Sequence, residues 1–478
     1  MTNKLAEQQI SFIEDLGAQG RARLTPMMRQ YLEIKDAHQD CILFFRLGDF
    51  YEMFFDDALE ASKALEITLT KKNCGIDGNR APMCGVPFQS AETYIARLVE
   101  KGYKVAICEQ TEDPLLAKGL VNREVVRIVT PGTLTGDLML KAEENNYLAS
   151  VFVGKSDIGL AWTDISTGDL FTAELRVSDI DTLMNELTRI SPSEVLFFEE
   201  TPGSEIGTMI DENMDLPKTE LPASEYTQET GLRLLRQVMK IENPKSLGLE
   251  SDSCSLAALF GLVSYLEKTQ KQQLGHMKPL LAYNFTDHMR LDRASIRNLE
   301  LTESILGKDT EGSLLGVLDK THTAMGGRLL KKWIKEPLTH TDRIQERLFA
   351  VEFLYEEVLI RNNLKTHLKA IYDLERLVFR VSCGNANGRD LIALKNSVSV
   401  LPEIKNDLLV ADDCLLLQEL NEKIADLEEI RSLIEAAIED EPPFTVREGG
   451  LIKAGYSQEL DDLKSSIASG QEWIANLE

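Results

Sequence analysis

The sequence lacks the cysteine patterns that mark disulfide-rich domains and zinc sites. It has seven cysteines in 478 residues, an odd number, and no C-x-x-C pair. The closest two, Cys74 and Cys84, have no histidine near them, so nothing supports a zinc site. Widely spaced cysteines in apolar surroundings predict buried free thiols in a reducing compartment. The seven are Cys41, Cys74, Cys84, Cys108, Cys254, Cys383 and Cys414.

Long apolar runs are also missing. No stretch is long and apolar enough to span a membrane. The opening residues, MTNKLAEQQISFIEDLG, carry acidic side chains early and have no apolar segment of the kind found in signal peptides. We therefore expect no membrane association and a cytoplasmic location. The composition, 43% hydrophobic and 27% charged, is typical of a globular chain, and 478 residues are enough for several domains.

Positive charge is scarce, and its distribution is uneven. The chain has 52 lysines and arginines against 78 acidic residues, a net charge of −26. Residues 1–132 carry only −3 of this, and the remainder carries −23. An acidic chain repels a polyanion, so strong non-specific DNA binding by this chain alone is not expected. The nearly neutral first part has local basic points at Lys71, Lys72, Arg80, Arg123 and Arg127, which leave local contact with a polyanion open.

Motifs for nucleotide binding and hydrolysis are weak or absent. A phosphate loop needs G-x-x-x-x-G-K-[ST], but Ala149 stands where the first glycine should precede Gly154–Ser156. We predict a hairpin turn there and no nucleotide site. No G-x-S-x-G occurs. Asp164 and Asp169, in DISTGD, could hold Mg²⁺ as in a nuclease, but the same residues favour a β-turn, which is our preferred interpretation.

Hydrophobic periodicity divides the chain into five segments. Residues 1–24 are interpreted as an N-terminal arm, and alternating strands and helices predict a mixed α/β domain over 25–132. A meander with further α/β elements predicts a second α/β domain over 133–260. Helical periodicity with two extended stripes predicts an all-α region over 261–440. Pro442-Pro443 then interrupts the pattern and begins the last segment, 441–478. A helix predicted from about Ser457 reaches the final residue without a cap, which we interpret as truncation.

The stretch GDFYEMF, Gly48 to Phe54, combines two aromatic residues with a carboxylate. The pattern FYEMFFDDALEASKALEI predicts a helix with Phe54, Ala58, Ala61 and Leu65 on its buried stripe, and Asp49 as a possible cap. In a regular helix Phe50 and Glu52 would diverge. A strand or a strand-to-helix turn after Gly48 would instead place both on one face, where a ring could stack on a base and an acid could bond its edge. On composition alone, ordinary packing remains the simpler explanation.

Several long motifs, in the same order and spacing, resemble the N-terminal part of bacterial MutS, the DNA mismatch-repair sensor. They are GDFYEMFFDDA, LTKK, PMCGVPF, YIARLVEKGYKVAICEQ, KGLVNREVVRIVTPGT, ASIRNLEL, GSLLGVLDKTHTAMGGRLLKKWIKEPL and REGGLIKAGYSQELDDL. The resemblance covers essentially the whole chain. It implies a mismatch-recognition domain over 25–132, a ribonuclease H-like α/β connector over 133–260, an all-α core and lever with long helices over 261–440, and the start of a clamp over 441–478.

The resemblance also implies roles for particular residues. Phe50 would enter the minor groove and stack on a mispaired or unpaired base, and Glu52 would hydrogen-bond that base, with Tyr51 left for packing. Lys71, Lys72 and Arg80 are expected to contact phosphates, and Met83 to pack against the sugar edge. In the connector the resemblance implies relay and partner contact rather than nuclease chemistry.

The expected partners are double-stranded DNA with mismatches or small loops, a MutL-type repair partner, and a second copy in a homodimer. ATP and Mg²⁺ are implied for an ATPase domain of the intact protein that lies beyond this chain, so the chain itself is expected to have no catalytic residue, cofactor or metal. Two alternatives stay open: a relative specialised for other DNA structures, which would lack Phe50 and Glu52, and a metal-dependent nuclease built on 133–260.

Overall fold

The computed structural model describes residues 23–75, 80–112, 120–136, 139–198, 205–214, 216–239, 250, 253–271, 274–307, 309–411, 413–443 and 446–475. The chain divides into two compact units, Met1–Tyr283 and Asn284–Glu478. The first contains two mixed β-sheets with their helices, and the second is helical. This arrangement confirms the predicted fold class, a multidomain chain that passes from α/β to all-α structure.

The first sheet has six strands in the order β3-β4-β2-β1-β5-β6. β1 pairs in parallel with β5, and the other neighbours are antiparallel. The elements are α1 Pro26–Asp36, β1 Cys41–Leu47, β2 Phe50–Phe54, α2 Phe55–Leu65, β3 Thr70–Asn73, β4 Arg80–Pro87, α3 Ala91–Glu100, β5 Lys104–Gln110 and β6 Arg123–Val129.

Both faces of this sheet are covered, because its central strand is apolar on both sides. Ile42 and Phe44 of β1 belong to a core cluster that includes residues of α2 and α3. Leu43 and Phe45 belong to the opposite cluster, which includes residues of α1. Alternating side chains of one continuous apolar strand thus supply two cores.

The predicted helix over residues 50–67 is wrong in its first part. Phe50–Phe54 forms strand β2, and the helix begins only at Phe55. β2 lies between β1 and β4, and hydrogen bonding to both neighbours outweighs the helical periodicity of its sequence. Asp49 consequently does not cap the helix, since the N-cap position is Phe54. Ala58, Ala61 and Leu65 form a buried stripe of the helix as predicted, whereas Phe54 is buried as part of β2 and packs in the core cluster on the other face of the sheet.

A buried carboxylate fixes the change from strand to helix. Asp57, in the first turn of α2, accepts a hydrogen bond from the Tyr31 hydroxyl at 2.7 Å and from the Leu43 N–H at 3.0 Å. Its other oxygen lies 2.8 Å from the ammonium of Lys35. Burial and the neighbouring Asp57 raise the pKa of Tyr31 well above its ordinary value. Asp57 therefore joins α1, β1 and α2 at one point.

The second sheet also has six strands, in the order β11-β10-β7-β8-β9-β12. β7, β8 and β9 form an antiparallel meander, and β10 and β11 add in parallel beyond β7. This is the strand arrangement expected of a ribonuclease H-like domain. The elements are β7 Tyr147–Val153, β8 Asp157–Asp164, β9 Asp169–Arg176, α4 Ile180–Ile190, β10 Glu194–Phe198, α5 Glu205–Asn213, β11 Lys218–Leu221, α6 Gln228–Met239, α7 Cys254–Gln270 and β12 Leu281–Ala282.

The apolar helix α7 packs on β7 and β8 of this sheet. The boundary expected at residue 260 falls inside α7, and the first unit continues to Tyr283 because β12 pairs with β9. The sequence alone could not reveal this, since a buried helix has the same apolar pattern whether it covers a sheet or other helices. The other expected domain boundaries stay predictions.

The second unit contains eleven named α-helices over its described residues. The two stripes expected to form extended helices are each divided in two: α11 and α12 separate at Glu357, and α16 and α17 separate over residues 424–427. The helices are α8 Arg293–Asn298, α9 Leu314–Leu318, α10 Ala324–Lys335, α11 Thr341–Glu356, α12 Val358–Lys369, α13 Leu374–Ser382, α14 Gly388–Ser399, α15 Leu401–Leu408, α16 Leu415–Lys423, α17 Glu428–Ala437 and α18 Gln458–Ala475.

The prediction of free thiols is confirmed. All seven cysteines are free; Cys254 and Cys383 are half-buried and the other five are buried. Burial raises the pKa of the Cys41, Cys84 and Cys108 thiols to about 12, so these three are unreactive packing groups. Over the described ranges, no helix has the length and apolar content needed to cross a bilayer.

We predict that Asp57→Ala destabilises the first sheet locally by about 2–4 kcal/mol, because it leaves a tyrosine hydroxyl, a backbone N–H and an ammonium without their shared acceptor. The measurement is the opening free energy from hydrogen exchange of peptides spanning β1 to α2. Asp56→Ala is the control, since Asp56 is exposed in the same helical turn and its loss should cost about 1 kcal/mol or less. Equal effects of the two variants would contradict a special role for Asp57.

Candidate nucleic-acid interface

The stretch that carries Phe50 and Glu52 begins with a two-residue hairpin turn. Leu47 pairs with Phe50, so only Gly48 and Asp49 connect β1 to β2. Gly48 has a φ of 59°, a left-handed conformation that favours glycine. Its carbonyl accepts a hydrogen bond from the Arg46 guanidinium at 2.6 Å. The Asp49 carbonyl accepts one from the Phe88 N–H at 2.9 Å. These bonds fix the position of the turn and the start of β2.

Phe50 is the exposed aromatic residue of this segment. Its side chain is 47% accessible, whereas Tyr51, Phe54 and Phe55 are buried. Its cross-strand neighbours are Leu47 on β1 and Pro87 on β4. A ring at the first position of a strand, beside a turn and held by two flanking strands, is presented to solvent in a fixed orientation.

Glu52 lies on the same face of the sheet as Phe50, because both side chains come from alternate positions of β2. Its side chain is 16% exposed, and Oε2 is 2.6 Å from the ammonium of Lys72. On β4 its direct neighbour is Gly85, where a Cβ would lie 3.5 Å from Glu52 Cγ. The absence of a side chain at Gly85 leaves space beside the carboxylate.

The other four expected contact residues do not all share this face. Lys72 stands opposite Ala81, and Met83 stands opposite Phe54, so both lie on the face of Glu52. Met83 is half-buried against the core cluster that contains Phe54. Lys71 and Arg80 are exposed and occupy the alternate positions of β3 and β4. Their side chains therefore begin on the opposite face of the sheet, which separates them from Phe50 and Glu52.

Two of the local basic points, Arg123 and Arg127, bond within the domain, the first buried and the second half-buried. Arg123 is buried, and its guanidinium donates to the Arg46 carbonyl at 2.8 Å, to Gln30 Oε1 at 3.0 Å and to the Val121 carbonyl at 2.9 Å. Arg127 donates to Thr135 Oγ1 at 2.7 Å. Polyanion contact, which the sequence left open for Arg123, is not available to this buried side chain, because its guanidinium is used inside the domain to hold strands and loops together.

A group of residues behind the hairpin was missed by the sequence reasoning. The Arg46 guanidinium lies 3.5 Å from the centre of the Phe88 ring, on the face opposite Phe50, and 5.4 Å from the ring of Tyr51. Tyr51 in turn donates its hydroxyl to Glu109. Burial, followed by the bond to Glu109, raises the pKa of Tyr51. The sequence did contain a signal for this group, because Arg46 is the single charged residue in the apolar strand CILFFRL. A buried guanidinium needs hydrogen-bond acceptors or aromatic contacts.

The other candidate sites form turns. Asp164 is fully buried and accepts hydrogen bonds from the side chains of Asn145 and Ser166 at 2.8 and 2.7 Å. It also accepts a bond from the Ser166 N–H in the hairpin between β8 and β9, as the turn interpretation of DISTGD requires, and another from the Asn146 N–H just before β7. Gly154–Ser156 lies in the hairpin between β7 and β8, where the Gly154 N–H bonds the Asp157 carbonyl at 2.9 Å. Among the described residues, no group of three or more histidine, cysteine or acidic residues could hold a metal ion.

Comparison with known families assigns the chain. The protein-family model named MutS domain I matches residues 25–137. The family models named MutS domain II and MutS domain III match residues 146–278 and 294–477. The chain belongs to the MutS family. The face that carries Phe50 and Glu52 lies within the part matched to domain I, and the sheet that contains Asp164 lies within the part matched to domain II.

Individual relatives agree with the family assignment. The DNA mismatch repair protein MutS of Alkaliphilus oremlandii (strain OhILAs) is 47% identical over 462 residues, which are 95% of this chain and 52% of the relative. The protein of the same name from Halothermothrix orenii is 47% identical over 457 residues, covering 96% and 51%. That of Clostridium tetani is 43% identical over 456 residues, covering 95% and 50%. The chain therefore spans about half the length of these MutS relatives.

We predict that Gly48→Ala destabilises the hairpin by about 1 kcal/mol, because a side chain at positive φ is strained even where space is available. No atom lies within 4 Å of a Cβ built at Gly48, so the effect would come from the backbone alone. The measurement is the shift in urea unfolding. Gly275→Ala is the control, since it also has open space but no positive φ, and it should be neutral or slightly stabilising. Equal destabilisation by both substitutions would contradict the explanation.

Proposed function

We propose that this chain recognises mispaired or unpaired bases in double-stranded DNA, with Phe50 as the stacking residue and Glu52 as the base contact. The observation that carries the proposal is the exposed Phe50 ring on the same strand face as the Glu52 carboxylate, beside a turn that hydrogen bonds from Arg46 and Phe88 hold in place. Membership of the MutS family, whose relatives carry the name DNA mismatch repair protein, supports the same function.

The proposed reading of DNA depends on deformability rather than sequence. A mispaired step is poorly stacked, so bending it and inserting a ring from the minor groove costs less than at an intact step. Stacking one base on an aromatic ring contributes about 1–3 kcal/mol. Phe50 supplies that ring without rearrangement of the core, because the neighbouring aromatic residues are already buried.

In this proposal Glu52 helps the protein to discriminate a mismatched duplex from an intact one. A carboxylate facing a phosphate backbone is repulsive, and that repulsion disfavours intact duplex. Where a base is unstacked and its edge becomes accessible, the carboxylate gains a hydrogen bond that offsets part of the repulsion. Of the other residues expected to contact DNA, Lys72 and Met83 lie on the face of Glu52, whereas Lys71 and Arg80 would need to reach DNA around the edge of the sheet.

The wider activity is proposed for the intact protein. We propose residues 25–132 as the recognition domain after an arm over 1–24 and residues 441–478 as the start of a clamp. The connector, expected over 133–260, is proposed to extend to the end of the first compact unit at Tyr283, and the core and lever, expected over 261–440, to begin at Asn284. A MutL-type partner, a homodimer and a cytoplasmic location are part of the same proposal. ATP and Mg²⁺ would act elsewhere in the intact protein, because Gly154–Ser156 closes a hairpin and so does not fit a phosphate-binding loop.

We predict that Phe50→Ala in the intact protein abolishes the preference for a duplex with one mismatch and leaves binding to matched duplex unchanged. The measurement is fluorescence anisotropy with matched and mismatched oligonucleotides at one fixed salt concentration, and the expected loss is about 10- to 100-fold on the mismatch, from one stacking interaction. The control is Phe88→Leu, which removes a ring that is 43% exposed but on the other face. Undiminished discrimination by Phe50→Ala would refute the stacking role.

We also predict that the 478-residue chain alone binds DNA weakly and hydrolyses no ATP. Its net charge of −26 opposes a polyanion. A gel-shift titration with matched and mismatched duplexes, together with a phosphate-release assay, tests both statements. Nanomolar binding to a mismatch by this chain alone would contradict the first of them.

A further inference from the structure

The ion pair between Glu52 and Lys72 is unusual for its position. It lies on the face that carries the exposed Phe50 ring, and it joins strands that are not neighbours, because β4 runs between β2 and β3. Lys72 pairs with Ala81 on β4, and Glu52 pairs with Gly85 four positions further along the same strand. The two side chains therefore meet diagonally above β4, across the space that Gly85 leaves open.

The pair engages only half of the carboxylate. Glu52 Oε2 accepts from the Lys72 ammonium at 2.6 Å, and among the described residues Oε1 has no recorded partner. Lys72 is in turn placed by a second contact, since its ammonium lies 5.6 Å from the centre of the buried Phe54 ring. One oxygen of Glu52 is thus held by Lys72, and the other is left without a hydrogen-bond partner among the described residues, on the face that also carries Phe50.

A bare carboxylate at this place would be costly in a complex with DNA. At 16% exposure it is already partly desolvated, and the approach of a phosphate backbone would remove more water and add repulsion. A cation on the neighbouring strand offsets the repulsion without occupying Oε1. In the described part of the chain, Lys72 is the only recorded ion-pair partner of Glu52.

We propose that Lys72 is a specificity-determining residue that acts as the counter-ion and positioning group of Glu52, rather than as a phosphate contact. It holds Oε2, orients Oε1 toward the base edge, and limits the repulsion between Glu52 and the duplex. This proposal rests on the proposed recognition of mismatches by Phe50 and Glu52. Lys71, one residue earlier on the opposite face of β3, has no such role.

The test is a double-mutant cycle in the intact protein with Lys72→Met and Glu52→Gln, measured on matched and mismatched duplexes over a range of salt concentrations. If Lys72 serves Glu52, then Lys72→Met weakens binding to matched duplex about fivefold when Glu52 is present. In the Glu52→Gln background, where no charge needs an offset, the same change should have an effect under about twofold. Lys72→Arg should preserve both the affinity and the mismatch preference.

A phosphate contact would behave differently. Lys72→Met would then weaken binding equally in both backgrounds, and the slope of log affinity against log salt would fall in magnitude by about one. That result would overturn the proposal. So would equal coupling of Glu52→Gln to Lys71→Met, the matched control, because the effect would then be one of general charge. Lys72→Gln is the second variant, and circular dichroism verifies that each variant is folded.

The cycle separates this proposal from the recognition function on which it rests. If Phe50→Ala abolishes mismatch preference but Lys72 and Glu52 are not coupled, the recognition role stands and the counter-ion role fails. If Phe50→Ala leaves the preference intact, the recognition role itself fails, whatever the coupling between Lys72 and Glu52.

Discussion

The geometry of the face that carries Phe50 and Glu52 depends on one buried carboxylate. Asp57 receives the Tyr31 hydroxyl, the Leu43 N–H and the Lys35 ammonium within 2.7–3.0 Å, and it sits in the first turn of α2. The five residues directly before α2 pair with β1 and β4 as β2, and the Tyr31 hydroxyl that bonds Asp57 also accepts the N–H of Phe54 at the end of this strand at 3.3 Å. Only as a strand do Phe50 and Glu52 project from one face. The buried contact thus holds the end of the strand that carries the exposed pair.

Local sequence predicted much of this domain, and its failure at β2 has a clear physical cause. The apolar strand β1, the strands β5 and β6, and the helix α3 follow from periodicity and turn residues. β2 does not, because FYEMFFDDALEASKALEI satisfies a helical stripe almost throughout. What decides the conformation of Phe50–Phe54 is pairing with β1 and with β4, the latter about thirty residues away. Pairings of that kind are invisible in a local pattern.

The candidate site, too, could be predicted from the sequence only in part. That Phe50 and Glu52 belong together could be inferred from spacing and family resemblance. Which lysine joins them could not, because Lys71 and Lys72 are adjacent in sequence and identical in type. The register of β3 against β4 places one beside Glu52 and the other on the far face. Similarly, Arg123 seemed available to a polyanion but is used to bind the Arg46 carbonyl. Tertiary contacts, not composition, decide which cations remain at the surface.

The position of Lys71 and Lys72 has a consequence for solubility as well. β3 is the outermost strand of its sheet and only four residues long. An outer strand offers unsatisfied backbone donors and acceptors to any extended peptide that approaches it. A charged side chain on each face of so short a strand makes such pairing unfavourable, because an added strand would bury an ammonium group on either side. The lysines that border the proposed DNA-reading face thus also oppose self-association through the sheet edge, the first step toward fibrillar aggregation.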